Sequence, residues 1–130
     1  MHHVVRWRLI VAAVLLSVSG CGATEPLSAC SDPVSITVSE GTTPRIAWTP
    51  ACGVERLVVS QAVPPSMGVA TVQRWAIRAD GRLIEPAVRY ALPPRGATVD
   101  VPAEPLAAGR PSGVELFGPT VSVGFKSFTP

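Results

Sequence analysis

The side chains with the most distinctive chemistry in this 130-residue chain are three cysteines, Cys21, Cys30 and Cys52. A thiolate accepts acyl groups, binds metal or forms a disulfide, and an odd count leaves one cysteine with a separate role. The two histidines, His2 and His3, stand at the N-terminus, and the one lysine is Lys126. Beyond His3 the chain therefore cannot assemble a Ser-His-Asp or Cys-His arrangement, since both need an imidazole to carry the proton. It also has no His and Cys cluster at zinc spacing, so neither a metal nor a cofactor is expected. A Ser-Lys pair would rest on Lys126, which lies in the alternating segment Phe125-Lys126-Ser127-Phe128 and reads as a solvated strand residue.

Paired carboxylates would serve glycoside hydrolysis or calcium binding. Glu25 and Asp32 lie early in the chain, Asp80 precedes a glycine in a turn-like context, and Asp100 and Glu104 flank Pro102. None of them repeats at ligand spacing, and they read as solvated charges and turn formers.

What must position these residues begins with an export signal. His2, His3, Arg6 and Arg8 form a basic start, followed by the apolar run Leu9 to Leu16. That run is much shorter than the roughly 20 residues a helix needs to cross a bilayer. Val18-Ser19-Gly20-Cys21, directly after it, resembles the lipobox of bacterial lipoproteins. The resemblance implies that residues 1–20 are a signal peptide, that Cys21 is diacylated as the new N-terminus, and that the protein is held on the extracytoplasmic face of a bacterial membrane. Each acyl chain contributes about 0.8 kcal/mol per buried methylene, so two or three chains hold firmly. The alternative is an ordinary secretory signal cut nearby, which leaves Cys21 as a free thiol or a disulfide partner.

Removal of residues 1–20 takes away both histidines, Arg6 and Arg8. Nine Lys and Arg then face nine Asp and Glu, scattered along the chain with no net charge. Nucleic acid, which needs a concentrated basic face, is not an expected partner. Electrostatic docking on anionic lipid is disfavoured for the same reason.

With Cys21 given to lipid, Cys30 and Cys52 remain as a pair in an oxidising compartment. Val34, Ile36 and Val38 alternate with polar residues, as do Ile46 and Trp48, so two half-buried strands flank the turn-like Glu40-Gly41-Thr42-Thr43. An antiparallel register that sets Ile36 opposite Ile46 and Val34 opposite Trp48 makes paired residue numbers sum to 82, as Cys30 and Cys52 do. A one-residue slip would turn each buried side chain outward, so parity is enforced. A thiol redox pair is the competing reading, and the C-x-x-C spacing it needs is missing.

Further strands are predicted near 56–61, 72–78, 87–92, 98–101, 113–117 and 121–128, with a turn at Asp80-Gly81. Trp75 and Ile77 are expected inward, Arg74 and Arg78 outward. Trp48, Tyr90, Phe117 and Phe125 fall at alternating apolar positions and are expected in the core. Pro64-Pro65, Pro93-Pro94, Pro102 and Pro105 mark connections. The fold class is all-β in one domain, residues 33–130, joined to the lipid by a short tether, residues 21–32.

Pro44-Arg45-Ile46-Ala47-Trp48-Thr49-Pro50 resembles the second strand of a fibronectin type III domain, and Leu106-Ala107-Ala108-Gly109 with Val114 and Leu116 is similar to the pattern leading into its sixth. Ser112 stands where that family carries a corner tyrosine. The resemblance implies a seven- to eight-stranded antiparallel immunoglobulin-like sandwich. It would place Cys30 and Cys52 at the same end.

The functional expectation is a non-enzymatic binding or scaffolding module of the cell envelope, attached to the membrane through Cys21, with an envelope protein or glycan as partner. The apolar, proline-bearing stretch containing Val63, Pro64, Pro65, Met67 and Val69, together with Trp75, is the expected partner surface. The alternatives are an envelope enzyme or enzyme subunit using converging carboxylates among Asp80, Glu85, Asp100, Glu104 and Glu115, and a small-ligand carrier with an internal cavity.

Overall fold

The computed structural model describes residues 25–64 and 70–130. The expected signal peptide, Cys21, and the loop residues Pro65, Met67 and Val69 lie outside them. The described residues form eight strands and no helix: β1 (Ser35–Val38), β2 (Arg45–Thr49), β3 (Arg56–Val63), β4 (Ala70–Ala79), β5 (Val88–Arg89), β6 (Ala97–Val101), β7 (Ser112–Phe117) and β8 (Ser122–Phe128). They make two antiparallel sheets, one ordered β1-β2-β5 and the other β6-β4-β3-β7-β8.

Period-two alternation sets the inward faces. Ile36, Ile46, Trp48 and Val88 from the smaller sheet meet Leu57, Val59, Trp75, Ile77, Val114 and Leu116 from the larger in one buried cluster. This is the packing of a β-sandwich. Trp75 and Ile77 point inward as expected, and Arg78 is exposed. Arg74 is more covered than expected, its side chain retaining 19% of its exposure beside Glu104. The turn after β4 passes through Gly81 at φ +76°, as Asp80-Gly81 suggests.

The first hairpin keeps the expected parity but shifts by two residues. Ile36 faces Trp48 and Val38 faces Ile46, so paired numbers sum to 84 and not 82. The difference is set at the loop, where the backbone and side chain of Ser39 both bond Arg45. The hairpin closes one step earlier, where Ser39 N donates to Arg45 O at 3.0 Å and Arg45 N donates to Ser39 Oγ at 2.7 Å. Pro44 is left in the loop, and its carbonyl accepts from Tyr90 N at 2.9 Å.

In β8 the expected alternation fails. Leu116 pairs with Gly124 and Phe117 with Ser122, so Val123 is an extra residue in the ladder. Such a bulge reverses the faces beyond it. Val123 is buried, while Phe125 pairs with outward Glu115 and keeps 64% of its surface exposed. Phe125 is therefore not a core residue, and Phe117 is half-buried.

Strand β5 is shorter than the expected 87–92 because the chain reverses at once. Leu92 N donates to Arg89 O at 3.1 Å, and Ala91 sits at φ 68°. This is the third position of a turn that favours glycine. Ala91 is solvent-exposed, so little packing depends on its methyl group. Ala91→Gly should stabilise the fold by about 0.5–1 kcal/mol, read as a higher urea midpoint at unchanged slope.

Candidate functional site

The sandwich has two ends, and the candidate residues divide between them. β3 starts at Arg56, opposite Phe117, and its 8 residues carry the chain to Val63. At about 3.3 Å per residue that is roughly 23 Å.

At the Arg56 end the chain enters the fold as a docked strap. Leu27 N donates to Glu85 Oε1 at 3.3 Å, Gly53 N donates to Ser28 O at 2.8 Å, and Cys30 N donates to Gly53 O at 2.8 Å. Ala29 and Gly53 form a parallel bridge. Cys30 and Cys52 are joined in a disulfide with Cα atoms 5.0 Å apart, and Cys30 is 2% exposed. The Trp48 indole N–H donates to Cys52 O at 2.8 Å, tying the bridge to the core. Gly118 makes the close approach possible, since a Cβ there would lie 2.7 Å from Cys30 O. The packed unit thus begins at Leu27, ahead of the expected boundary at Pro33. Beside the strap lies a cleft of about 530 Å³ lined by Pro26, Leu27, Gly81, Arg82, Leu83 and Glu85.

At the opposite end stand the β1–β2 loop, the end of β3 and the crossover between β6 and β7. Val63 is half-buried and Pro64 exposed. Trp75, expected beside them as part of a partner surface, is instead a core residue at 1% exposure. Its indole meets the Tyr90 ring edge-on, centroids 5.4 Å apart and planes at 70°. Inward parity on β4 and this aromatic contact remove it from any surface.

Two buried polar groups hold the crossover. The Tyr90 hydroxyl donates to Glu104 O and also lies 3.2 Å from Arg74 O. Burial pushes that hydroxyl up to about 12, partly opposed by Arg74. Gln61, fully buried, donates through Nε2 to Ala107 O and to Ser112 Oγ, both at 3.0 Å, and its Oε1 accepts from Ala107 N at 3.0 Å. Neither role is visible in residue spacing. A glutamine at an inward position of an apolar strand was the available signal for Gln61.

The carboxylates each have a different partner. Asp80 accepts from Thr98 at 2.9 Å, Asp100 pairs with Arg78 at 2.9 Å, Glu104 with Arg74 at 2.7 Å, and Glu115 accepts from Ser122 at 2.9 Å. Glu85 holds the strap and lies 3.8 Å from Arg82. Among the described residues no three His, Cys, Asp or Glu side chains group as metal ligands. Phe125, missed as a surface residue, leans over Gly113, where a Cβ would sit 2.7 Å from its ring. It borders a shallow groove of about 370 Å³ with Ser60, Ala62, Thr71 and Pro111.

No family model matches the chain, and no curated protein or solved structure matches it either.

Two measurements check the supports. Tyr90→Phe should cost about 1–2 kcal/mol by leaving the Glu104 carbonyl without its donor. A phenol whose folded pKa lies above its unfolded value of about 10 contributes stability that is whole below that pH and is lost as pH rises through about 12. Melting temperature should accordingly fall across that window in the parent and much less in Tyr90→Phe. Replacing both bridge cysteines, Cys30→Ala with Cys52→Ala, should cost about 3 kcal/mol, given the 22-residue separation they close.

Proposed function

We propose that this protein is a lipid-anchored, non-catalytic binding or scaffolding module of the bacterial cell envelope, with a fibronectin type III-like or immunoglobulin-like sandwich as its working part. The observation that carries the reading is the lipobox-like Val18-Ser19-Gly20-Cys21 placed just ahead of a docked, disulfide-pinned strap. A chain that is to be held by its N-terminus gains from having that end stapled to its core, because pull on the anchor then meets a covalent bond.

The finer fold assignment draws support from strand order. β1-β2-β5 facing β3-β7-β8 repeats the division of immunoglobulin-type sandwiches, in which the first, second and fifth strands share a sheet opposite the third and the last two, while β4 lies beside β3 here and β6 is an added edge. The binding role draws support from the scattered pairing of the carboxylates and from clefts that open at the surface. An envelope protein or glycan is the partner class, and the end of β3 at Val63 and Pro64 is the first surface to probe.

Growth with a labelled fatty acid tests the anchor: the parent should take up label, and Cys21→Ala should lose it together with membrane retention. Cross-linking in cells should capture a reproducible envelope partner, and loss of that capture in a Val63→Asp, Pro64→Ser variant of normal stability would locate the surface. Label retained in Cys21→Ala would overturn the anchor.

A further inference from the structure

We propose that the disulfide-bearing end of the sandwich is a membrane-seating surface, built from Leu83, Val121 and the strap, which rests against an uncharged or zwitterionic lipid headgroup layer. This rests on the anchor reading above and goes beyond it by assigning an orientation and a contact surface.

Chain length is the first argument. Cys21 and Leu27 are separated by Gly22 to Pro26, and six Cα steps span at most about 21 Å. Leu27 is fixed to the fold by Glu85 and followed immediately by the bridged segment Ser28 to Cys30. The opposite end lies beyond Val63, a strand length of about 23 Å from Arg56. Setting that end on the bilayer would require the tether to run back along the whole sandwich, and it is too short.

Surface chemistry is the second argument. The β7–β8 turn closes with Gly118 N donating to Val121 O at 2.9 Å, directly beside Cys30 O, and leaves Val121 60% exposed. Leu83 packs over Gly53, the residue bonded to both Ser28 and Cys30, and remains half-buried with one side open. Two apolar side chains therefore project at the end from which the tether leaves. The charges around them, Asp32, Glu55, Asp80 and Glu85 with Arg56, Arg82 and Arg95, are mixed and form no basic cluster, which suits a neutral layer. Anionic headgroups find no basic cluster to attract them here.

The seating also assigns the other end. The β1–β2 loop, Pro64 and the crossover of residues 102–111 point away from the bilayer, where a partner in the envelope can reach them.

Amide hydrogen exchange on the full acylated protein in phosphatidylcholine vesicles, compared with Cys21→Ala in solution, tests the orientation. Residues 80–85 and 118–122 should exchange at least about threefold more slowly on vesicles, with residues 40–45 and 103–110 unchanged. Leu83→Asp with Val121→Asp should abolish that protection while the protein stays acylated, and Val121→Asp alone, at an exposed turn position, should weaken it with the melting temperature unchanged. Inserting ten Gly and Ser residues between Glu25 and Pro26 should weaken it, and replacing half of the lipid by phosphatidylglycerol should not strengthen it. Equal protection at both ends, or protection confined to residues 111–115 and 125–127 around Phe125, would overturn the seating while leaving the anchor intact. A mature protein without acyl chains on Cys21 would overturn both.

Discussion

At one end of the sandwich a single covalent bond joins the segment before β1 to the turn after β2, and backbone hydrogen bonds flank it on both sides. Without that bond the strap from Leu27 to Cys30 would be an edge held by two backbone hydrogen bonds and one bond to a half-buried carboxylate, which thermal fluctuation opens readily. With it, the position of Cys30 is fixed relative to Trp48, whose indole donates to Cys52 O, and hence relative to the core. Gly118 and Val123 then pack against the strap and β1 from the other sheet, where Val34 N donates to Val123 O at 2.8 Å. The two sheets are thus closed along one side by the same region that the staple holds.

The disulfide and its register show how a correct contact can follow from a ladder that is off by two. Alternation is a parity rule, and both registers, summing to 82 and 84, keep Ile36, Val38, Ile46 and Trp48 inward. Parity cannot choose between them. The loop contacts choose: Ser39 donates its N–H to Arg45 O and accepts from Arg45 N through Oγ, a closure that alternation does not encode. The cysteines lie outside the ladder, where the chain bends after Thr49, so they meet in a parallel bridge region and not as an extension of the hairpin. The strand positions were legible almost throughout, because Pro and Gly separate the apolar runs.

What was illegible involves features that change parity or join residues far apart. The extra residue Val123 in β8 leaves no mark in composition, yet it carries Phe125 from the core to the outer face. The compensation sits on the neighbouring strand, where Gly113 offers bare backbone and the ring covers it. Covering a strand glycine with a cross-strand aromatic is a recurrent way to stabilise such a site. The aromatic contact of Trp75 with Tyr90 was hidden for a different reason. It joins β4 to the residue following β5 across the sandwich, and only the packing of the two sheets brings them together.

The crossover between β6 and β7 poses the remaining structural problem. Residues 102–111 connect two strands that are not neighbours, and their backbone groups need partners wherever they pass over the core. Here the task is divided. Tyr90 reaches Glu104 O from one side, and Gln61 takes both the N–H and the carbonyl of Ala107 from the other, with Ser112 Oγ filling the second donor site of the amide. One serine at the corner leaves room for the glutamine, and a tyrosine there would compete with it for the same volume. Ser112 and the buried polar residue Gln61 are therefore one feature: a glutamine in an otherwise apolar strand is stable because the corner residue is small and polar.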